Sequence, residues 1–479
     1  MPKAAHKGRL LCYKKKYTFP EEIMSQNSTM DLTKGAPMRQ LLMFSLPLVA
    51  GTLFQQLYSF VDTMMVGRLL GEQALAAVGS THSLGFLVLG FVHGCCIGFG
   101  IPLAQAVGGK NHAEFRRFFW NGCWLCGVLA LVITLLTVSL THPLLQMIQT
   151  PADIFGEAAI YIRIAFWGIP AGIVYNFCAG ALRASGDSRH PTLFLLISSF
   201  LNIALDYLLI AIIPMGVAGA ALATVLSQLV SALLNLGWLC CKTDLLHNSE
   251  GLRGISGTHM RELCRVGLPM GFEYSVSAIG AVILQGSINS LGTAAIAGQT
   301  AGDKIRQMFT LPMESVGMGM ATYAGQNDGA KNYDRIRQGI RAGLAIQWFY
   351  CAAAWAAIFV GKGAFTNLVL GSSADAASAF SVQYLGIISC LFCFHGALMI
   401  FRNTLQGMGY SLHAVLSGVG ELVGRAICGL AAVKTGSFVG ICLASPAAWA
   451  LALAYCSVMT VLFLRKRTRQ TAQTVGAVQ

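Results

Sequence analysis

The sequence predicts an all-α integral membrane protein, with twelve transmembrane helices in two pseudo-symmetric six-helix lobes, and three observations carry that prediction. The first is composition: 55% of the 479 residues are hydrophobic and only 11% charged, where soluble domains carry about a quarter charged residues. The second is run length. A helix needs about 20 apolar residues to cross a hydrocarbon core of ~30 Å, and such runs recur along almost the whole chain. The third is a duplication. Gln105-x-x-Gly108-x-Lys110-Asn111 returns 221 positions later as Gln326-x-x-Gly329-x-Lys331-Asn332. Nearly the same offset pairs Pro47 with Pro269, Gly71 with Gly292, Leu182 with Leu405, Gly186 with Gly409, His190 with His413 and Gly219 with Gly440. A period this long is a whole lobe rather than a solenoid unit. In a membrane chain, paired lobes imply a path for a substrate between them.

In chain order, residues 1–38 form a polar tail with Lys14-Lys15-Lys16 but without the apolar core or small-residue cleavage site of a signal peptide, and Met24 or Met30 would also serve as a start. The first lobe, 39–241, holds spans at 39–66, 74–107, 117–141, 154–181, 190–213 and 215–241, the last two separated only by Pro214. A connecting loop, 242–261, leads to the second lobe, 262–464, with spans at 262–290, 294–326, 338–361, 377–401, 410–433 and 437–464, and a tail at 465–479. Prolines at 47, 102, 170, 269 and 312 mark places where these helices can bend.

The net charge of +13 raises the question of a nucleic-acid partner, and its distribution answers it. Of 33 Lys and Arg, 26 fall in the two tails and alternate loops: 8 up to Arg39, then Lys110, Arg116 and Arg117; Arg183 and Arg189; Lys242, Arg253, Arg261 and Arg265; Lys331, Arg335, Arg337 and Arg341; Arg402; and four beyond residue 464. The opposite side has only Arg68, Lys362 and Lys434. This is the positive-inside pattern, which places both termini and the connecting loop in the cytoplasm of a plasma (inner) membrane protein and leaves no basic patch for nucleic acid. Cys123-x-x-Cys126 and Cys390-x-x-Cys393 have redox or zinc spacing, but no second Cys or His pair stands near either, and small core residues are the expected reading.

Ionisable residues within hydrocarbon are functional candidates by default. Asp62 lies toward the outer end of the first span, and Asn202 and Asp206, four apart, share one face of the fifth. Thr224, on the descending sixth span, reaches a similar depth. Two carboxylates, an amide oxygen and a hydroxyl suit a small hard cation such as Na⁺, or a shared proton; the alternative is polar glue between helices. The second half holds Glu273 near midplane and Asp303, Lys304, Arg306 and Glu314 on the eighth span, with Asp303 and Glu314 on one face and His82 and His93 at matching places in the first half. Lys304 and Arg306 serve equally as structural counterions to these acids. Glu421 and Arg425, at i and i+4, read as a buried ion pair. His395 stands alone in the tenth span, as a titratable or a core histidine. Tyr58, Phe54, Met64 and Met65 in the first span and Met308, Phe309, Met313, Met318 and Met320 in the eighth would give a deformable wall to a flat organic cation, if they are not simply packing.

From about Leu32 to Leu464 the chain resembles the multidrug and toxic compound extrusion (MATE) family of antiporters. The stretches that carry the resemblance are Leu46-Pro47, Val61-Asp62-Thr63-Met64-Met65-Val66-Gly67-Arg68, Ala74-Leu75-Ala76-Ala77-Val78-Gly79, Leu182-Arg183-Ala184-Ser185-Gly186-Asp187, Leu201-Asn202 to Asp206, and Gly216-Val217-Ala218-Gly219-Ala220-Ala221. The resemblance implies two six-helix lobes forming a V that alternates between outward and inward openings. It also implies a first-lobe site for Na⁺ or H⁺ built from Asp62, Asn202, Asp206 and Thr224 with the Ala220 carbonyl. The branch of the family that uses second-lobe acids fits less well: its Glu falls about eight residues after the proline, where this chain has Ser277, and His395 stands where its Asp would be.

The function expected on these grounds is export of organic, cationic or amphipathic compounds in exchange for Na⁺ or H⁺, by a monomer, with no cofactor beyond the coupling ion. Tyr58, Met65, Glu273, Asp303, Glu314 and His395 are candidates for the substrate cavity. Two other readings compete. A flippase for lipid-linked precursors wants a markedly cationic cavity, but acids match bases within these helices. An intramembrane enzyme lacks its motifs, with no Gly-x-Ser-x-Gly and no His-Glu-x-x-His.

Overall fold

The structure is a computed structural model that describes residues 29–242, 246, 254–289, 291–371 and 375–476. The tail up to residue 28, with the possible start at Met24, and most of the connecting loop lie outside the described residues. The first lobe comprises α1 (Pro37–Leu70), α2 (Glu72–Ser80), α3 (His82–Gly108), α4 (His112–Ser139), α5 (Thr141–Met147), α6 (Phe155–Trp167), α7 (Ile169–Ala184), α8 (Arg189–Asp206) and α9 (Val217–Lys242). The second comprises α10 (Gly257–Asn289), α11 (Thr293–Gly329), α12 (Tyr333–Leu370), α13 (Asp375–Cys390), α14 (Phe392–Gly407), α15 (Ser411–Thr435) and α16 (Phe438–Gly476).

Eight of these helices are long and apolar enough to cross a membrane unaided, and two further spans are bent pairs, α6–α7 at 42° and α13–α14 at 50°. The fourth-span bend falls just before Pro170, which cannot supply the N–H that would continue α6. The last two spans are α10 and α11, 33 and 37 residues long. They are less apolar than the others and carry internal charges, Glu273 on α10 and Asp303, Lys304, Arg306 and Glu314 on α11. Large apolar side chains elsewhere cover the outside, as with Val360 at 87% exposure, the arrangement expected where lipid is the solvent.

The duplication is preserved in backbone detail. Gly71 and Gly292 have φ of 90° and 91°, Gly186 and Gly409 of 93° and 82°, and Lys110 and Lys331 both 56°. Asn111 and Asn332 cap α4 and α12, each side chain accepting a backbone N–H, from Glu114 at 3.1 Å and Arg335 at 3.3 Å. The repeated motif is also the seam between lobes. A Cβ on Gly108 would lie 1.8 Å from the Gln326 carbonyl oxygen, and one on Gly329 would lie 1.9 Å from that of Gln105, so only glycine lets α3 and α11 touch there. Their glutamines reach across reciprocally: Gln105 Nε2 donates to the Gly407 carbonyl at 3.1 Å, and Gln326 Nε2 to the Ala184 carbonyl at 2.9 Å.

Further from that face the lobes meet through Gly98 against Gly267, Thr52 against Ser315 at 2.8 Å, and the edge-to-face rings of Phe91 and Phe272. The Gly108–Gly329 crossing itself lies at the ends of α3 and α11, on the face carrying the termini. Between the lobes on that side there remains a cavity of about 30 Å³, lined by Ile97, Ile101, Gly180, Arg183, Met318 and Thr322, room for about one water.

Three expectations change. Arg402 is not in a loop: α14 continues to Gly407 and turns Arg402 inward, 6% exposed, because buried carboxylates wait for it. The tail at 465–479 is helical as far as Gly476, its Arg467 guanidinium lying over the Tyr410 ring and 3.9 Å from Asp328. Of the cysteine pairs, Cys126 is core, but Cys390 and Cys393 are exposed, on the side of the α13–α14 bend opposite the buried Ile388 and Phe392.

Candidate cation site

In the first lobe α1, α8 and α9 converge in the half of the bundle far from the termini. Asn202 and Asp206 are buried together on one face of α8, at 1% and 0% exposure. Immediately after Asp206 the chain widens into a π-helical turn, Tyr207–Ile212, a distortion that recurs at functional sites. Across from it, α1 brings the Asp62 carboxyl within hydrogen-bonding reach of Asp206. With its amide nitrogen turned to Asp206, Asn202 donates to Oδ2 at 3.3 Å and accepts from the Thr224 backbone N–H at 3.3 Å. The Thr224 hydroxyl donates to the Ala220 carbonyl at 3.2 Å. All five residues expected from the sequence are therefore neighbours.

Oδ1 of Asp62 and Oδ1 of Asp206 are both buried with no hydrogen-bond partner. Two carboxyl groups in contact repel unless a proton or a cation is shared, and buried oxygens left without partners are costly. The carboxyl oxygens, with the nearby Thr224 hydroxyl and Ala220 carbonyl, are donors of the kind a small hard cation needs. Ala220 also belongs to a packed apolar cluster with Val66, Ala74, Ile210 and Val217, against which Tyr161 lies. Tyr58 and Tyr161 complete the surroundings, both within electrostatic range of Asp62 and Asp206. Sequence reading missed Tyr161: it is about a hundred positions from Asp62, and the one available signal was a phenol inside an apolar helix, which seeks a polar partner.

The second lobe has a different character. Glu273 is not open to a cavity: Oε1 lies 3.3 Å from Arg402 Nη1, and Oε2 accepts from Gln406 Nε2 at 2.7 Å. Arg402 also pairs with Glu421 and donates from Nε to the Ser417 hydroxyl at 3.1 Å. Arg425 Nη2 contacts the other Glu421 oxygen at 3.1 Å, so the expected ion pair is one edge of a buried four-charge network. Asp303 accepts from Arg306 Nε at 2.7 Å and from the Tyr384 hydroxyl at 2.9 Å, while Lys304 is exposed. Glu314 is half-exposed, with Oε1 3.8 Å from His395 Nε2, and both His395 ring nitrogens lack hydrogen-bond partners. Met313 and Met320 are fully buried and belong to the core rather than to a cavity wall, unlike the exposed Phe54, Met64 and Met308. His93 Nδ1 pairs with the Asn176 side chain at 2.9 Å and meets the Tyr274 ring edge-on.

Comparison with known proteins follows the same lines. The family model MatE matches residues 47–208 and 269–424, one match in each lobe. A probable multidrug resistance protein, YpnP of Bacillus subtilis, is 29% identical over 386 residues, 81% of this chain and 86% of that protein. The multidrug export protein MepA of Staphylococcus aureus is 22% identical, covering 80% of this chain and 86% of its own. Among solved structures, an outward-facing multidrug resistance MATE transporter of the MOP superfamily superimposes with a TM-score of 0.87 at 21% identity, covering 92% of this chain and 99% of that one. A MOP superfamily transporter from Pyrococcus furiosus gives 0.86, again at 21% identity, with 92% and 99% covered. Twelve spans in two lobes, a family model matched in both halves and relatives named for multidrug resistance together show that the chain belongs to the MATE family of multi-pass membrane transporters.

Proposed function

We propose that the chain exports organic, cationic or amphipathic compounds by alternating access, in exchange for inward Na⁺ or H⁺ bound at Asp62, Asn202, Asp206 and Thr224. One observation carries this reading. Two carboxyl groups meet in the first lobe with an oxygen of each buried and unpartnered, while most buried acids of the second lobe are matched by arginines. The two neighbouring acids with unpartnered oxygens are thus in the first lobe. Binding of a cation or proton there draws α1 and α8 together, and its loss lets them separate.

The positive-inside bias puts the termini face in the cytoplasm. With the lobes closed on that face the structure corresponds to an outward-facing state. Substrate then meets the half-exposed Glu314, with His395 beside it, and Asp303, Tyr58 and Met65 as further candidate contacts; Glu273 acts through Arg402 rather than by direct contact. The test is efflux of ethidium or norfloxacin from loaded vesicles under an imposed Na⁺ gradient at fixed pH, and separately under a pH gradient. A response to one gradient alone identifies the ion; export indifferent to both ends the antiport reading.

A further inference from the structure

We propose that Met30–Lys34, the stretch just before α1, is a latch that holds the two lobes together on the termini face, and that its release is a step in opening that face. The proposal rests on the alternating-access reading above. The segment bonds to both bodies that must separate. On the first lobe, the Met30 N–H donates to the Gly186 carbonyl at 3.0 Å, and Gly186 has φ +93° with the position of a Cβ only 2.1 Å from the Met30 oxygen. The strap therefore lies directly on the turn that ends α7.

On the second lobe, the Leu32 N–H donates to Gln326 Oε1 at 3.0 Å, and the Leu32 carbonyl accepts from Asn327 Nδ2 and Arg335 Nε, each at 3.2 Å. Arg335 Nη2 donates to the Lys34 carbonyl at 2.5 Å. The Leu32 side chain is fully buried between Leu41 and Phe44 of α1 and Met320, Tyr323 and Ile336 of the second lobe. Asp31 stiffens the turn between, its Oδ1 accepting the Thr33 N–H at 3.0 Å.

Gln326 joins strap to seam. Its oxygen holds Leu32 while its nitrogen holds Ala184 of the first lobe at 2.9 Å, so one amide fixes the strap and the interlobe contact together. Separating α7 from α11 breaks that amide's grip on Ala184 and leaves the strap a choice of lobe. Either Met30 leaves Gly186 or Leu32 leaves its pocket; in both cases the latch opens.

The experiment measures the distance between spin labels introduced as unnatural amino acids at the exposed Arg189 and Gln338, one on each lobe near the termini face, which leaves the native cysteines in place. Met30→Pro removes the first-lobe bond together with the packing of the Met30 side chain on the Leu32 cluster, Leu32→Asp expels Leu32 from that cluster, and Gly127→Ala, with nothing within 4 Å of the Cβ position, is the control. The expected result is a shift toward longer distances in Met30→Pro and Leu32→Asp, none in Gly127→Ala, and a changed initial ethidium efflux rate in the first two. If Leu32→Asp does not fold, Met30→Pro alone decides. Distances identical to wild type in folded Met30→Pro overturn the latch. A wild-type chain that exports nothing would instead sink the transport reading, with the distances still deciding the latch.

Discussion

At the scale of single residues, the two lobes hold their charges by opposite means. Asp62 and Asp206 face each other without a counterion, so replacing either by Asn removes the charge that a cation or proton would balance. Asp62→Asn and Asp206→Asn are each expected to lower gradient-driven ethidium efflux by about tenfold or more, comparable to the loss of ~1.4 kcal/mol of coupling, with little loss of fold. Wild-type rates in both variants would show that the pair does not couple. Arg402 presents the reverse case, one guanidinium serving Glu273 and Glu421 at once. Arg402→Leu strands the buried Glu273 carboxylate and leaves Glu421 with Arg425 alone; it is expected to cost about 3–5 kcal/mol of stability, read as a lowered melting temperature in detergent. Adding Glu273→Gln to that variant should recover part of the loss, because the stranded charge is then gone.

At the scale of elements, the α3–α11 crossing is the contact most sensitive to a single methyl group. Gly108→Ala places a carbon 1.8 Å from a backbone oxygen, and neither backbone can give way without parting the helices. The expectation is a cost of about 1–3 kcal/mol from overpacking and greater accessibility of the termini face to a membrane-impermeant thiol reagent. Gly127→Ala is the matched control: nothing lies within 4 Å of its Cβ position, so it should be neutral or stabilising by up to ~1 kcal/mol. Equal melting temperatures for the two variants would show that the seam tolerates separation.

For the whole molecule, the prediction concerns orientation and direction. With 26 of 33 basic residues assigned by the sequence to one face, tags at residue 1 and residue 479 should both be protected from external protease in intact cells and cleaved after permeabilisation. Structure revises that assignment only slightly. Arg183 borders the interlobe cavity and Arg402 is in the core, yet the remaining bias is still one-sided. The bent spans α6–α7 and α13–α14 occupy corresponding places in the two lobes.

The sequence by itself determined the number of spans, their order and the duplication, and pointed to four side chains that the structure brings together as a candidate cation site. Those features are written in local pattern: apolar runs of membrane length, a repeat of more than two hundred residues, and polar groups where hydrocarbon makes them expensive. Tertiary structure alone decided which charges are neutralised. Arg402 reads as a loop residue until α14 is seen to run on past it, and Tyr161 has no spacing that ties it to Asp62. The strap at Met30–Lys34 reads as tail because its bonds are to residues some 150 to 300 positions away. Such pairings depend on how helices cross, and helix crossing is set by glycine contacts between distant segments that no local pattern records.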